Sequence, residues 1–289
     1  MQGFKLAMGQ MLVEGGEPER NLDRAAGVIG EAAGRSCRAV VLPECLDLGW
    51  THPSTTKLAE PVPGAFTERL AREARAADVY VAAGLNERAG DRLYNSAVLI
   101  SPKGKILLTH RKINVLFPDI YAIGDRLGVA ETPLGVMGLD ICADNFPDAI
   151  ALGSSLARMG AEVILSPSAW AVTADHDNAA EPYGEAWERS YSTLAGLYDL
   201  TVVGVSNVGP VTGGPWAGRK CIGCSLAVGP GPRVLAKGPY GIDAGALIEI
   251  DVERRGDRPK GTAFKAHLEK KGAREVTLMG RVQPEGASR

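Results

Sequence analysis

Short apolar runs rich in Val, Ile and Leu alternate along this chain with stretches whose apolar residues recur at helical spacing, and that alternation restricts the fold more than any other feature. Lys5 to Val13 reads as a first strand. Glu19 to Gly34 then places Leu22, Ala25, Ala26, Ile29 and Ala32 or Ala33 on one helical face. Arg38 to Pro43 is a second strand and Ala65 to Ala77 a second helix. Val79 to Leu85, Asn95 to Ser101 and Ile106 to Thr109 follow as strands, the last two joined by the Pro102-Lys103-Gly104-Lys105 turn. That triplet predicts a meander inside a sheet that is mixed rather than purely parallel.

The second half keeps the rhythm. Strands are expected at Val136 to Ile141, Val163 to Leu165 and Thr201 to Ser206, with helices at Phe146 to Met159 and Tyr183 to Tyr198. Further strands are expected at Ile222 to Val228, Arg233 to Ala236 and Ala246 to Asp251. The class is α/β, with helices covering sheets. No internal repeat or linker-like stretch divides residues 1–251, so one domain is the simplest partition. Residues 252–289 are charged and aperiodic, and read as an arm packed on the body or on a neighbouring subunit.

Composition narrows what such a domain does. A chain of 289 residues, 45% hydrophobic and 23% charged, can bury a large core. Its formal net charge of −2, from 32 basic and 34 acidic residues, lacks the footprint of a nucleic-acid binder. No apolar stretch approaches the roughly 18 residues of a membrane span, and the N-terminus does not read as a leader. A cytoplasmic protein acting on a small molecule is expected. Five cysteines, an odd number in a long chain, argue against a disulfide framework and for reduced thiols.

One of those thiols stands out. In Gly138-Leu139-Asp140-Ile141-Cys142-Ala143-Asp144-Asn145-Phe146-Pro147 an apolar run delivers Cys142 to the start of a helix. Unpaired N–H groups there favour a thiolate and can bind an oxyanion. Pro43-Glu44 ends an earlier strand and His110-Arg111-Lys112 another. A carboxylate, an ammonium and a thiol at three strand ends can converge on one sheet edge. Cys221-Ile222-Gly223-Cys224 has metal-ligand spacing but no second Cys or His pair, and reads as core thiols of a strand. The four histidines have no metal-binding spacing either. The glycine-rich Gly213 to Lys220 segment has its Lys displaced from phosphate-loop register and reads as a connection.

The motifs Val40-Val41-Leu42-Pro43-Glu44, His110-Arg111-Lys112-Ile113 and Gly138 to Asp144 resemble the Glu, Lys and Cys signatures of the nitrilase, or carbon–nitrogen hydrolase, superfamily. Leu165 to Trp170 and Val203 to Asn207 are similar to later segments of that family. The resemblance implies a four-layer α-β-β-α sandwich with two stacked mixed sheets. It implies a catalytic trio of Glu44, Lys112 and Cys142, no metal and no organic cofactor, and a homodimer or higher homo-oligomer. Many members carry a further carboxylate after the Lys. Here Asp119 is the nearest acid, and it serves either as that carboxylate or only in forming its loop.

The chemistry fits. A thiol attacking an amide or carbamoyl carbon needs a carboxylate to take its proton and return it to the departing amine, which suits Glu44. The developing oxyanion needs donors, and the Lys112 ammonium and the Ala143 N–H suit that role. Asn145, Phe146, Trp170 and Tyr121 are candidate substrate contacts, although a packed Trp explains Trp170 nearly as well. Arg189 either binds an acidic group or fixes its loop. True nitrilases of this superfamily usually place Trp-Glu after the nucleophile, whereas Ala143-Asp144 stands here. The expected activity is therefore amide or N-carbamoyl hydrolysis through a Cys142 thioester. The alternatives are a nitrilase with the same trio and a catalytically silent oligomeric scaffold.

Overall fold

A computed structural model of the chain describes residues 3–256 together with Lys260, Gly261 and Phe264. In chain order the elements are β1 (Phe4–Gln10), α1 (Pro18–Gly34), β2 (Ala39–Val41), α2 (Thr55–Leu58), α3 (Ala65–Ala77), β3 (Tyr80–Ala89), β4 (Arg92–Ile100) and β5 (Ile106–Arg111). Then come β6 (Val129–Thr132), β7 (Gly135–Leu139), α4 (Ile150–Arg158), β8 (Val163–Ser168), β9 (Ala171–Val172) and α5 (Glu185–Tyr198). The last are β10 (Thr201–Ser206), β11 (Val208–Pro210), β12 (Lys220–Ile222), β13 (Leu226–Gly229), β14 (Arg233–Lys237) and β15 (Ala246–Val252).

The strands form two six-stranded mixed sheets, ordered β15-β1-β2-β3-β4-β5 and β14-β13-β10-β8-β7-β6, with β11-β12-β9 as a small third sheet. β1, β2 and β3 run parallel, and the expected meander is the antiparallel β3-β4-β5. Alternation along each strand decides which layer a residue joins. Leu6 and Met8 of β1, Val41 of β2 and Ala82 of β3 share a core with Leu139, Leu165 and Val203 of the other sheet. Their neighbours Ala7, Val40 and Val81 face outward onto Leu22, Ala25 and Ile29 of α1 and Leu70 and Ala74 of α3. Leu156 of α4 and Tyr191 and Leu194 of α5 cover the second sheet. The product is a four-layer α-β-β-α sandwich.

Local chemistry explains the helix ends. Pro18 starts α1, where its missing N–H costs nothing. At α3 the Gly64 N–H donates to Thr67 Oγ1 at 2.8 Å, and Asp78 closes the helix in a left-handed conformation, φ 54°.

The structure departs from sequence expectation where a few residues adopt positive φ or a tight turn. The expected strand Ile222 to Val228 is broken into β12 and β13 by Gly223 and Cys224, at φ 68° and 59°. The expected helix from Phe146 starts only at Ile150, after 3₁₀ turns at Cys142–Asn145 and Pro147–Ala149. β6, β9, β11 and α2 are short elements that the periodicity did not reveal, because two to four residues carry too little pattern. The arm expected at 252–289 lies almost entirely outside the described residues. No helix among those described is long and apolar enough to cross a membrane.

One glycine positions the site. A Cβ on Gly84 of β3 would lie 2.5 Å from Glu44 Cα and 3.0 Å from Cys45 N, so only glycine lets the chain after β2 press against β3. Gly84 also accepts from Leu46 N–H at 2.9 Å. Gly84→Ala is expected to cost roughly 1–3 kcal/mol by overpacking and to displace Glu44. Denaturant melts and turnover should therefore both fall, and unchanged turnover would show that Glu44 tolerates the shift.

Candidate active site

Glu44, Lys112 and Cys142 each stand a few residues past the C-terminal end of a strand, namely β2, β5 and β7. The first two strands belong to one sheet and the third to the other, so the site lies where the two sheet edges face one another. The Glu44 N–H donates to Ser168 O at the end of β8, 3.1 Å away, which ties the edges together. Lys112 N–H donates to Asn95 O and its carbonyl accepts from Gly124 N–H, both at 2.8 Å.

The three side chains converge. Lys112 Nζ lies 2.6 Å from Glu44 Oε1, and Asn95 Nδ2 donates to the same oxygen at 2.6 Å. Both donors fall on Oε1 and neither on Oε2. The Cys142 thiol lies within electrostatic reach of both Glu44 and Lys112. Exposures of 1%, 4% and 8% for Glu44, Lys112 and Cys142 keep the site out of bulk solvent, so charges there are screened less than in water.

Electrostatics sets the resting protonation. Burial raises the Cys142 pKa and the Glu44 charge raises it further, against the pull of Lys112, so the thiol is pushed up to about 12. Burial alone would lower the Lys112 pKa, but the charges of Glu44 and Cys142 outweigh it and the ammonium is held above its ordinary value. Cys142 therefore rests as a thiol beside a basic carboxylate and a fixed cation.

Cys142 sits at φ 43°, a left-handed conformation that favours glycine. Its N–H is held by Ser166 Oγ at 3.1 Å. Asp144 braces the same turn from the other side. It is fully buried, and its Oδ2 accepts from Ile141 N–H at 3.2 Å and pairs with His110 Nε2 at 2.8 Å. Oδ1 accepts the N–H groups of Ile113 and Asn114 at 3.1 and 2.7 Å. The residue two past the nucleophile thus fastens the Lys112 loop to the Cys142 turn. Beneath lies Asp140, a carboxyl that burial pushes up to about 7.

The remaining expected contacts separate by position. Ala143 follows Cys142 in the 3₁₀ turn. Trp170 is 2% exposed and stacks on Trp187, rings 5.2 Å apart, and Phe146 meets the other side of Trp187 edge-on at 5.6 Å. Asn145 is fully buried under the turn, its Nδ2 donating to Asp140 Oδ1 at 2.6 Å and Ser166 Oγ at 3.1 Å. Tyr121 is likewise buried, donating to Asn86 Oδ1 at 2.7 Å and accepting Thr51 N–H at 3.0 Å. Both amide hydrogens of Asn145 and the Tyr121 hydroxyl are engaged with the protein itself. Asp119 is exposed in a turn of the Lys112 loop.

Sequence reasoning missed Asn95 and Ser166. Both are short polar side chains inside apolar strand runs, which is the one signal that marks them. Cys45 follows Glu44 at φ 47°, with Sγ 4.0 Å from Tyr121 Oη.

The family model for carbon-nitrogen hydrolases matches residues 5–260. A nitrilase of Pyrococcus abyssi is 32% identical over 257 residues, covering 86% of this chain and 90% of that protein. The omega-amidase NIT2 of Xenopus tropicalis is 32% identical over 186 residues, 60% of this chain and 66% of its own length. An amidase from Nesterenkonia sp. superposes with TM-score 0.72 at 19% identity, covering 93% of this chain and 97% of that one. Saccharomyces cerevisiae Nit3 superposes with TM-score 0.75 at 20% identity, covering 97% and 96%.

The protonation state is open to test by iodoacetamide labelling of Cys142, with Cys142→Ala as background for the other thiols. The wild-type rate should keep rising from pH 7 to pH 10. Glu44→Gln removes the charge that holds the proton on sulfur, so it should label faster at pH 8. A wild-type rate that plateaus below pH 7 would contradict the assignment.

Proposed function

Since the chain belongs to the carbon–nitrogen hydrolase family, we propose that it is a thiol hydrolase cleaving a non-peptide amide or N-carbamoyl C–N bond of a small polar substrate. The observation that carries this reading is the 2.6 Å contact of Lys112 Nζ with Glu44 Oε1, with the Cys142 thiol within electrostatic reach of both in a buried site. No scaffold role needs two buried ions beside a thiol.

The steps follow from the protonation states. Cys142 Sγ attacks the carbonyl carbon while its proton passes to Glu44. The C=O electrons move to oxygen, and the Lys112 ammonium with the Ala143 N–H stabilises that oxyanion. Collapse breaks the C–N bond, and the nitrogen leaves with the proton held by Glu44. The Cys142 thioester is then attacked by water, which gives a proton to Glu44. The acid departs and the sulfur recovers its proton. Glu44 thus acts as base and then acid in each half of the cycle, and Lys112 keeps its charge throughout. Each of these roles, including that of Ala143, belongs to the proposal.

Amide chemistry is favoured over nitrile chemistry by the two residues after Cys142. Ala143 offers only a methyl group where a Trp would fill space, and Asp144 is consumed in bracing the turn. The Pyrococcus abyssi relative keeps nitrile hydrolysis as the second reading. Asp119, exposed as it is, fits loop formation better than a fourth catalytic part.

Ammonia release should be measured against matched amides, ureido compounds and nitriles, with intact-mass analysis of the quenched enzyme. Amides or ureido compounds are expected to turn over and to leave an acyl mass on Cys142 that is absent in Cys142→Ala. Turnover of nitriles alone would establish the second reading, and neither turnover nor adduct would defeat both.

A further inference from the structure

Two acidic side chains flank the nucleophile, Asp140 two residues before Cys142 and Asp144 two after, and both are fully buried. Their surroundings differ. Asp144 pairs with His110 and accepts three backbone N–H groups, a set of donors that suits a carboxylate. Asp140 enters no ion pair among the described residues. Its Oδ1 accepts from Asn145 Nδ2 at 2.6 Å, while its Oδ2 and Asn145 Oδ1 are both buried without a hydrogen-bond partner among those residues. An ionised Asp140 would leave both of these oxygens as acceptors only, whereas the acid form turns one of them into an O–H donor. Holding a proton is also the cheaper state for a buried carboxyl that no cation faces.

The charges around Asp140 act in the same direction. Burial raises its pKa most and the Asp144 charge adds to it, and Ser166, His110 and Asn145 oppose them only in part, so the carboxyl is pushed up to about 7. Tyr191 of α5 faces the same spot as a neutral phenol, its pKa raised by burial and then by the charges of Asp140 and Cys142. What Asp140 holds leads to the nucleophile. Asn145 Nδ2 donates also to Ser166 Oγ at 3.1 Å, and that oxygen accepts the Cys142 N–H at 3.1 Å. The Asp140 N–H donates to Leu165 O at 3.2 Å, so both ends of this clasp are fastened to β8. Cys142 lies inside it at φ 43°, a conformation that persists only where its surroundings impose it.

Resting on the amidase reading above for its turnover readout, we propose that Asp140 is a positioning residue for the nucleophile, acting as an un-ionised carboxylic acid that holds Asn145 and, through Ser166, the Cys142 backbone. It does not touch substrate. Loss of its proton puts an unpaired charge beneath the turn, and opening the turn to water relieves that charge while drawing the sulfur away from Glu44 and Lys112. The sign follows from the raised value. Ionisation of Asp140 opposes folding, with a penalty that grows between pH 3.8 and about pH 7 and stays constant above.

Asp140→Asn supplies a neutral isostere with both a donor and an acceptor, and Asp140→Ala removes the clasp. In thermal melts Asp140→Asn should gain on wild type between pH 5 and pH 8. The wild-type kcat should fall on the alkaline side of neutrality, and Asp140→Asn should hold its pH 6 rate to pH 8 or beyond. Asp140→Ala should lose roughly tenfold or more in kcat at every pH with KM little changed. A structural role alone would lower the Tm of both variants and leave the shape of the pH profile as it is. The same alkaline limb in wild type and Asp140→Asn, or a Tm difference that does not change with pH, would overturn the neutral acid, and wild-type kcat in Asp140→Ala would overturn the positioning role. Should Asp140→Ala fail to fold, the Asp140→Asn comparison decides alone. If no amide, ureido compound or nitrile turns over, the amidase reading fails by itself and the melts still decide this inference.

Discussion

The buried contact between Glu44 and Lys112 is the interaction on which the rest of this structure depends. Removing two ions from water costs several kcal/mol each, and a well-packed apolar pair would serve stability as well or better. The pair repays that cost only in chemistry. It holds a carboxylate and an ammonium together in a buried pocket, within electrostatic reach of the Cys142 thiol. Asn95 supplies a further donor to Glu44 Oε1, which lowers the penalty of burying that oxygen.

Bringing those groups together requires two sheets to meet at their edges. Glu44 and Lys112 arrive from one sheet and Cys142 from the other. The bond from Glu44 N–H to Ser168 O and the acceptance by Asp144 of two N–H groups from the Lys112 loop cross that boundary. Asp144 is thus the mechanical link between the Lys112 loop and the Cys142 turn. It holds the strained backbone at Cys142, whose positive φ is the kind of local cost found at functional turns. The sandwich is the support that lets such a turn persist.

Much of this was legible from residue order. The α1 and α3 faces, the β3-β4-β5 meander and β10 are long or strongly patterned, and the structure has them close to where periodicity placed them. Glu44, Lys112 and Cys142 declared themselves because each charged or reactive side chain ends an apolar run. What stayed hidden depends on contacts distant in the chain. Asn95 meets Glu44 across 51 positions, and Asp144 meets His110 across 34. Asn145 and Tyr121 looked like pocket residues because they are polar and near the motifs, yet their hydrogen-bonding groups turn inward to brace loops. Orientation of that kind is decided by tertiary packing and leaves no periodic trace. The break at Gly223 and Cys224 was hidden for a related reason, since a Cys at positive φ has no sequence signature.

The proposed hydrolysis requires Glu44 and Lys112 to work as one unit, and a double-mutant cycle measures that directly. Turnover should be followed in wild type, Glu44→Gln, Lys112→Met and the double variant, with thermal melts confirming that each is folded. If proton transfer and oxyanion stabilisation are coupled through the pair, each single change should cost roughly a thousandfold or more in kcat/KM and the double change little beyond either. Losses that multiply, or a single variant that keeps near-wild-type turnover, would contradict that coupling.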